Sequence, residues 1–172
     1  MVFNSISYVV PIFNEELNII NTITKIKEAF YQNDINDLEI IFIDDGSTDK
    51  SVEIIKNFIA KGDPIKCICL TRNFGHQEAL TAGLSKAKSD LIAVLDGDLQ
   101  DPPIVINEFI KSAQKGYDVI YGVRRKRKEI FYKKFAYGIF YKLLAALSKI
   151  EIPLDSGDFC LMTRNALNML ND

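Results

Sequence analysis

Short apolar runs alternate along this chain with longer segments of helical character, and this alternation limits the folds open to it. The segment Glu39–Asp44 contains Ile-Ile-Phe-Ile, which is typical of a strand buried on both faces of a sheet. The predicted strands are Ser5–Pro11, Glu39–Asp44, Ile65–Leu70, Leu91–Leu95, Asp118–Val123 and Phe159–Thr163. Strands that alternate with helices form βαβ units, so we predict an α/β protein with a mostly parallel central sheet flanked by helices.

Helices fill the intervals between the predicted strands. Asn14 is a good capping residue, so the first helix is expected to begin at Glu15 and to run to about Gln32. Pro102 and Pro103 interrupt the extended chain and favour the start of another helix. The other predicted helices are Asp49–Lys61, Gln77–Ala87, Pro103–Lys115, Ile130–Ile150 and one from about Asn165. The length of 172 residues suits one domain with a full core.

Charge is distributed unevenly along the chain. The net charge is −2, yet Arg124–Lys149 contains nine Lys or Arg and a single acidic residue, Glu129. Lys134, Lys142 and Lys149 are each about two helical turns apart, so they share one stripe of an aromatic-rich helix. Such a helix either lies in a membrane interface or packs its apolar face on the core with its lysines solvated. The acidic remainder of the chain argues against nucleic acid as a partner.

Acidic side chains follow three of the predicted strands. Glu15 follows the first strand, Asp44 and Asp45 end the second, and Asp96 and Asp98 end the fourth. In an open α/β sheet, ligands bind outside the carboxyl ends of the strands, so these carboxylates are expected at one edge. There they can accept hydrogen bonds from ribose hydroxyls or from the ring N–H of uracil or guanine. Each loop taken alone is also explained as a turn or a helix cap.

The segment Leu-Asp-Gly-Asp-Leu is the strongest of these signals. Side chains two residues apart on an extended chain point the same way, so Asp96 and Asp98 can share one divalent cation. With no His or Cys in the segment, the ligand chemistry favours Mg²⁺ or Mn²⁺. Neither a G-x-G-x-x-G nor a G-x-x-x-x-G-K-[ST] loop is present. A diphosphate would therefore depend on the metal and on basic side chains such as Arg72, which follows the third strand.

The three cysteines and the N-terminus give information about the cellular compartment of the protein. Cys67 and Cys69 are expected on one face of a strand, which disfavours a disulfide between them, and Cys160 is distant in sequence. Reduced thiols suit a cytosolic setting. The N-terminus has no signal-peptide pattern, and no apolar run reaches the ~20 residues that span a bilayer.

Five motifs in order resemble the family 2 glycosyltransferases with the GT-A fold. They are Val-Val-Pro-Ile-Phe-Asn-Glu-Glu, Asp-Asp-Gly-Ser-Thr-Asp, Thr-Arg-Asn-Phe-Gly-His-Gln-Glu-Ala-Leu, Leu-Asp-Gly-Asp-Leu-Gln-Asp-Pro-Pro and Gly-Asp-Phe at 157–159. The resemblance spans nearly the whole chain and is strongest to the polyprenyl-phosphate branch, which includes bactoprenol glucosyltransferases and dolichol-phosphate mannose synthases. That family transfers a sugar, with inversion, from a nucleotide diphosphate donor to a lipid phosphate.

The resemblance also implies roles for individual residues. The base, the ribose and the rest of the nucleotide sugar are expected to contact Pro11, Phe13, Asn14, Glu15, Asp44, Asp45, Arg72, Asp96 and Gly97. Asp96, Asp98 and Gln100 are the expected ligands of Mg²⁺ or Mn²⁺, and Asp98 takes part in catalysis through that metal. Asp158 is the candidate for base or acceptor positioning, and Arg124, with Arg127, for gripping phosphate. His76 is expected to start or pack a helix.

By the same resemblance the chain divides into three segments within a single domain. Residues 1–123 are the nucleotide-sugar-binding core, 124–150 the basic segment that faces the membrane, and 151–172 the acceptor side. Relatives commonly have Arg at the position of Cys160 and continue into transmembrane helices. The chain is therefore expected to be the catalytic part of a protein anchored at the cytoplasmic face of a membrane, and homo-oligomers remain open.

Four alternatives stand beside this expectation. The first is a glycosyltransferase with a glycan or other non-lipid acceptor, and the second is a non-catalytic domain that binds nucleotide sugars. The third, a phospho-receiver domain, is disfavoured because its Asp pair belongs on the first strand. The fourth, a nucleotidyltransferase, is disfavoured because its glycine-rich N-terminal loop is missing.

Overall fold

The computed structural model describes residues 1–123 and 156–171. The strands are β1 (Ser5–Ile12), β2 (Asp37–Asp44), β3 (Ile65–Cys69), β4 (Leu91–Val94), β5 (Val119–Val123) and β6 (Ser156–Thr163). The helices are α1 (Ile19–Phe30), α2 (Ser51–Ala60), α3 (His76–Leu84), α4 (Ile106–Gln114) and α5 (Arg164–Asn171), and a 3₁₀ turn at Pro103–Val105 precedes α4. All six predicted strands are present. The predicted helix Ile130–Ile150 lies outside the described residues.

The six strands form one sheet in the order β3-β2-β1-β4-β6-β5. β1 pairs in parallel with both β2 and β4, and β2 pairs in parallel with β3. β6 runs antiparallel to β4, with Leu91 opposite Thr163 and Val94 opposite Cys160. The mostly parallel α/β sheet expected from the sequence is thus confirmed, with one antiparallel strand inserted beside its centre.

Helices cover both faces of the sheet. Alternate residues of β1 belong to two separate hydrophobic clusters. Tyr8 is in the cluster that contains residues of α1, α2 and α4, whereas Val9 is in the cluster that contains residues of α3 and α5. This explains why β1, β2 and β4 have near-continuous apolar sequences. In the described part of the chain, no helix is long and apolar enough to cross a membrane.

Helix α3 approaches the sheet closely at Gly83. A Cβ atom there would lie 2.5 Å from Ile43 Cδ1 and 2.6 Å from Val9 Cγ1, so a residue without a side chain is needed. This contact sets the height of α3 over the sheet. The helix consequently starts, at His76, beside the carboxyl ends of the parallel strands.

Tyr8 offers a test of this core. Its side chain is fully buried, its hydroxyl has no hydrogen-bond partner among the described residues, and burial raises its pKa. Because an unpaired buried hydroxyl costs about 1–3 kcal/mol, we expect Tyr8→Phe to raise the free energy of unfolding by about 1 kcal/mol. Urea denaturation measures this, with the exposed Tyr117→Phe as the control that should change nothing. A fall in stability for Tyr8→Phe would show that the hydroxyl has a partner after all.

The start of α1 differs from the prediction. The helix begins at Ile19 and not at Glu15, and its N-cap is Asn18, without a side-chain capping bond. Asn14 has a left-handed backbone, with φ of 56°, which a residue leading directly into a helix cannot have. Residues 13–18 instead form a loop whose polar groups bond to the neighbouring β2–α2 loop.

Candidate active site

A cavity of about 360 Å³ opens at the carboxyl ends of the parallel strands. Pro11, Phe13 and Glu15 line it from the β1–α1 loop, and Asp45 lines it from the β2–α2 loop. Asp96, Gly97 and Asp98 line it from the segment after β4. The three acidic loops expected at one edge of the sheet therefore meet in one cavity.

The first two loops are joined by side-chain to backbone hydrogen bonds. The Asn14 Oδ1 atom accepts from Thr48 N–H at 2.8 Å, and the Asn14 N–H donates to Ser47 Oγ at 2.8 Å. The Glu15 N–H donates to Ser51 Oγ at 2.9 Å. Asn14 is not among the residues that line the cavity, so in this geometry it fixes the two loops to each other.

The two aspartates that end β2 differ in position. Asp45 is buried, lines the cavity and accepts hydrogen bonds from Phe74 N–H at 2.7 Å and Gly75 N–H at 2.9 Å. It thereby ties the β2–α2 loop to the β3–α3 loop. Asp44 is also buried, but it accepts from Ser47 N–H at 3.2 Å and does not line the cavity. Its contact stabilises the turn.

The β2–α2 and β3–α3 loops also touch through their backbones at Gly46. This glycine has φ of 79°, and a Cβ on it would lie 2.8 Å from both Arg72 C and Asn73 N. The Arg72 guanidinium lies over the Phe74 ring, 4.2 Å from its centroid. Arg72, predicted to contact the donor, is outside the cavity lining in this arrangement.

The Asp96–Asp98 segment follows directly on β4. Gln100, a predicted metal ligand, donates from Nε2 to Asp98 Oδ2 at 2.7 Å, and its N–H lies 3.1 Å from Asp98 Oδ1. Burial raises the pKa of the Asp96 carboxyl, and the nearby charges of Asp98 and Asp158 raise it further, while His76 opposes them. A bound cation would relieve this crowding of negative charge.

His76 is a site residue whose contacts the sequence did not reveal. It starts α3 as expected, but its Nε2 lies 2.9 Å from Asp158 Oδ2 and 3.9 Å from Asp96 Oδ1. The Gln77 side chain reaches the same Asp158 oxygen at 3.5 Å. The sequence feature that could have indicated this role is the position of His76 directly after the loop of the third strand, at the same edge of the sheet as the acidic loops. Arg124 and Arg127 lie outside the described residues.

The charge of the cavity is one-sided. Its lining holds Glu15, Asp45, Asp96 and Asp98 together with His76, and no Lys or Arg is among the described residues that line it. The described residues also contain no cluster of three or more His, Cys, Asp or Glu that could hold a metal ion unaided. Asp96 and Asp98 are the oxygen ligands in the lining that could hold a hard cation such as Mg²⁺ or Mn²⁺, with water and phosphate oxygens to complete its shell.

The cysteines are free thiols, as predicted. Cys67 and Cys69 share one face of β3, with their Sγ atoms 3.8 Å apart. Burial raises the pKa of Cys67 to about 12, and burial together with Asp158 raises the pKa of Cys160 to about 11. Cys160 is therefore a neutral thiol at physiological pH and supplies no positive charge beside Asp158.

The chain is similar to known proteins over most of its length. A profile of the family described as "Glycosyl transferase family 2" matches residues 7–170. An uncharacterized glycosyltransferase of Bacillus subtilis is 47% identical over 159 residues, covering 92% of this chain and 49% of the relative. A prophage bactoprenol glucosyl transferase homolog of Escherichia coli is 40% identical over 164 residues, covering 94% and 53%. The chain thus spans about half the length of these curated relatives.

A solved structure supports the fold. A mannosyltransferase from Pyrobaculum calidifontis, in complex with GDP-Man and Mn²⁺, superposes with a TM-score of 0.65 at 21% identity. The match covers 96% of this chain and 46% of that protein. The fold is the GT-A fold, and the chain belongs to glycosyl transferase family 2, which makes it a glycosyltransferase by family. The resemblance seen in the sequence motifs, including that to the bactoprenol enzymes, is confirmed.

Proposed function

We propose that this chain carries the donor site of a metal-dependent, inverting glycosyltransferase. The donor is a nucleoside diphosphate sugar, with a UDP-sugar as the first candidate, and the acceptor is a polyprenyl phosphate. The observation that carries the metal dependence is the charge of the cavity. A nucleoside diphosphate is an anion, and a lining with four carboxylates and no described Lys or Arg would repel it without a cation.

Asp96 and Asp98 are the proposed ligands of that cation, with Gln100 beside them. The carboxylate ligands and the absence of soft ligands in the segment favour Mg²⁺ or Mn²⁺. When bound, such an ion neutralises the charge that develops on the departing nucleoside diphosphate. A protein of the same fold contains Mn²⁺ together with GDP-Man, so the fold accommodates both.

The nucleoside is proposed to occupy the part of the cavity formed by the first two loops. The Phe13 side chain is 46% exposed and lines the cavity, so its ring is available to a base. Glu15 and Asp45 provide carboxylate oxygens for the ribose hydroxyls or the ring N–H of the base. Because Asp45 already binds two backbone N–H groups, its carboxylate is held in place before the donor arrives.

The acceptor is proposed to approach from the side of Asp158. A lipid phosphate is ionised at neutral pH, so its oxygen attacks without a strong base, and Asp158 with His76 positions it. Relatives that cover most of this chain include a bactoprenol glucosyl transferase of Shigella phage SfV. The basic residues of 124–150 are proposed to bind anionic lipid on the cytoplasmic face, with Arg124 gripping phosphate.

Donor binding tests the proposal directly. UDP and GDP are each added to the protein with Mn²⁺ or with EDTA, and the melting temperature is recorded. At about 100 times the dissociation constant a ligand adds ~2.7 kcal/mol, which for a chain of this size is a rise of about 5–10 °C. We expect this rise for one nucleotide with Mn²⁺ and none with EDTA. Equal rises with and without the metal would contradict the metal dependence.

Sugar transfer distinguishes the acceptors. With the matching nucleotide sugar, we expect transfer of radiolabelled sugar to undecaprenyl phosphate in detergent, and none to undecaprenol, which lacks the phosphate. Transfer to a glycan in place of the lipid would favour the alternative acceptor class. Donor binding with no transfer to any acceptor by the membrane-anchored protein would favour a binding domain.

A further inference from the structure

Thr22 connects helix α1 to the acidic segment after β4. Its side chain is fully buried, and its hydroxyl oxygen lies 3.1 Å from the Gly97 carbonyl oxygen. The same hydroxyl lies 3.0 Å from the Asn18 carbonyl oxygen, one turn earlier in the helix. Thr22 lies outside the cavity lining, and none of the sequence motifs contains it.

A hydroxyl has one proton, so the two carbonyls compete for it. The Asn18 carbonyl already accepts the helical hydrogen bond from Thr22 N–H at 2.9 Å. The Gly97 carbonyl is in a buried residue, where an unpaired oxygen is costly. The Thr22 hydroxyl is therefore expected to donate its proton to the Gly97 carbonyl. This hydrogen bond orients the peptide between Gly97 and Asp98.

We propose that Thr22 is a positioning residue for the cation. By holding the Gly97–Asp98 peptide, its hydroxyl fixes the backbone that carries the Asp96 and Asp98 carboxylates. This inference rests on the proposed metal-dependent donor site and names a part of it outside the cavity.

The geometry of the peptide adds a second consequence. In a trans peptide the C=O and N–H point in opposite directions, so the Asp98 N–H points away from α1. It has no hydrogen-bond partner among the described residues. Thr22 thereby also leaves a backbone donor that can meet a phosphate oxygen of the nucleotide.

Three variants separate this role from simple packing. Thr22→Val keeps the volume and removes the hydroxyl, whereas Thr22→Ser keeps the hydroxyl and removes a buried methyl group. Thr24→Val is the control on the same helix, since Thr24 is exposed and makes the same backward bond, to Ile20 O at 2.8 Å, but no contact with Gly97. For each, Mn²⁺ binding in the presence of UDP or GDP is measured by calorimetry, and the melting temperature is measured without ligand.

The Mn²⁺ affinity of each variant is expected to depend on whether residue 22 keeps its hydroxyl, and not on the stability of the variant. Thr22→Val should bind Mn²⁺ about tenfold more weakly, because the hydrogen bond that orients the Gly97–Asp98 peptide is lost. Thr22→Ser should melt about 2–4 °C lower yet keep its affinity within about twofold, and Thr24→Val should match the wild type. Unchanged affinity in Thr22→Val, or equal weakening in Thr22→Ser, would overturn the proposal. If the wild type binds nucleotide without metal, the proposed function has failed instead.

Discussion

Replacement of Asp98 by alanine is expected to remove metal-dependent nucleotide binding and to lower sugar transfer at least about a thousandfold. The size follows from the several kcal/mol that a metal contributes at a developing charge, with 1.36 kcal/mol for each factor of ten. The free energy of unfolding of Asp98→Ala should not fall, although its activity does. Asp98 helps to raise the pKa of Asp96, so its removal relieves repulsion between carboxylates in the ligand-free protein.

The measurements are a transfer assay, calorimetric Mn²⁺ binding with nucleotide, and thermal melting without ligand. Asp34→Asn is the control, because Asp34 is an exposed residue of the α1–β2 loop, at the opposite edge of the sheet. It should behave as the wild type in all three. If Asp98→Ala keeps its Mn²⁺-dependent nucleotide binding, the cation is held elsewhere.

Replacement of Gly46 by alanine is expected to have the largest effect on stability. Two costs add, since Gly46 has φ of 79° and a Cβ would lie 2.8 Å from Arg72 C and Asn73 N. Backbone cannot move aside as a flexible side chain can, so we expect a loss of about 3–4 kcal/mol in the free energy of unfolding. The displaced backbone leads directly to the Phe74 and Gly75 N–H groups that hold Asp45, so nucleotide binding should weaken too.

Gly62→Ala separates the two costs. Gly62 has φ of 87°, but nothing lies within 4 Å of its Cβ position. Its replacement should cost about 1 kcal/mol, from backbone conformation alone, and should leave nucleotide binding intact. Urea denaturation of both variants gives the difference, which is the cost of the contact between the loops. Equal losses would mean that the β3–α3 loop shifts freely.

The central architecture could be predicted because the buried strands carry an unbroken apolar signal. The position of Asp96 and Asp98 in the cavity lining was predictable for a related reason, since a carboxylate directly after a buried strand must emerge at its carboxyl end. The start of α1 was not predictable from capping rules. Asn14 has the right chemistry for a cap, but its side chain bonds to Thr48, which is distant in sequence. A tertiary contact has overridden a local preference.

The contacts between loops were also hidden in the sequence. Asp45 resembles an ordinary turn aspartate, and nothing local indicates that it binds the backbone of Phe74 and Gly75. The contact of His76 with Asp158 joins residues on α3 and β6 that no motif spacing relates. Such pairs depend on how far each loop extends over the sheet edge, which no local pattern of residues encodes.

The position of β6 has a consequence for folding. β6 lies between β4 and β5 in the sheet, although β5 precedes it in the chain. A nascent chain that has released β1 to β5 therefore has an incomplete sheet, with β5 lacking its neighbour until residues 156–163 emerge. Pairings of such long sequence separation form late, because loop closure must precede them. The three acidic loops that line the cavity can thus meet during synthesis, while Asp158 reaches its contact with His76 last.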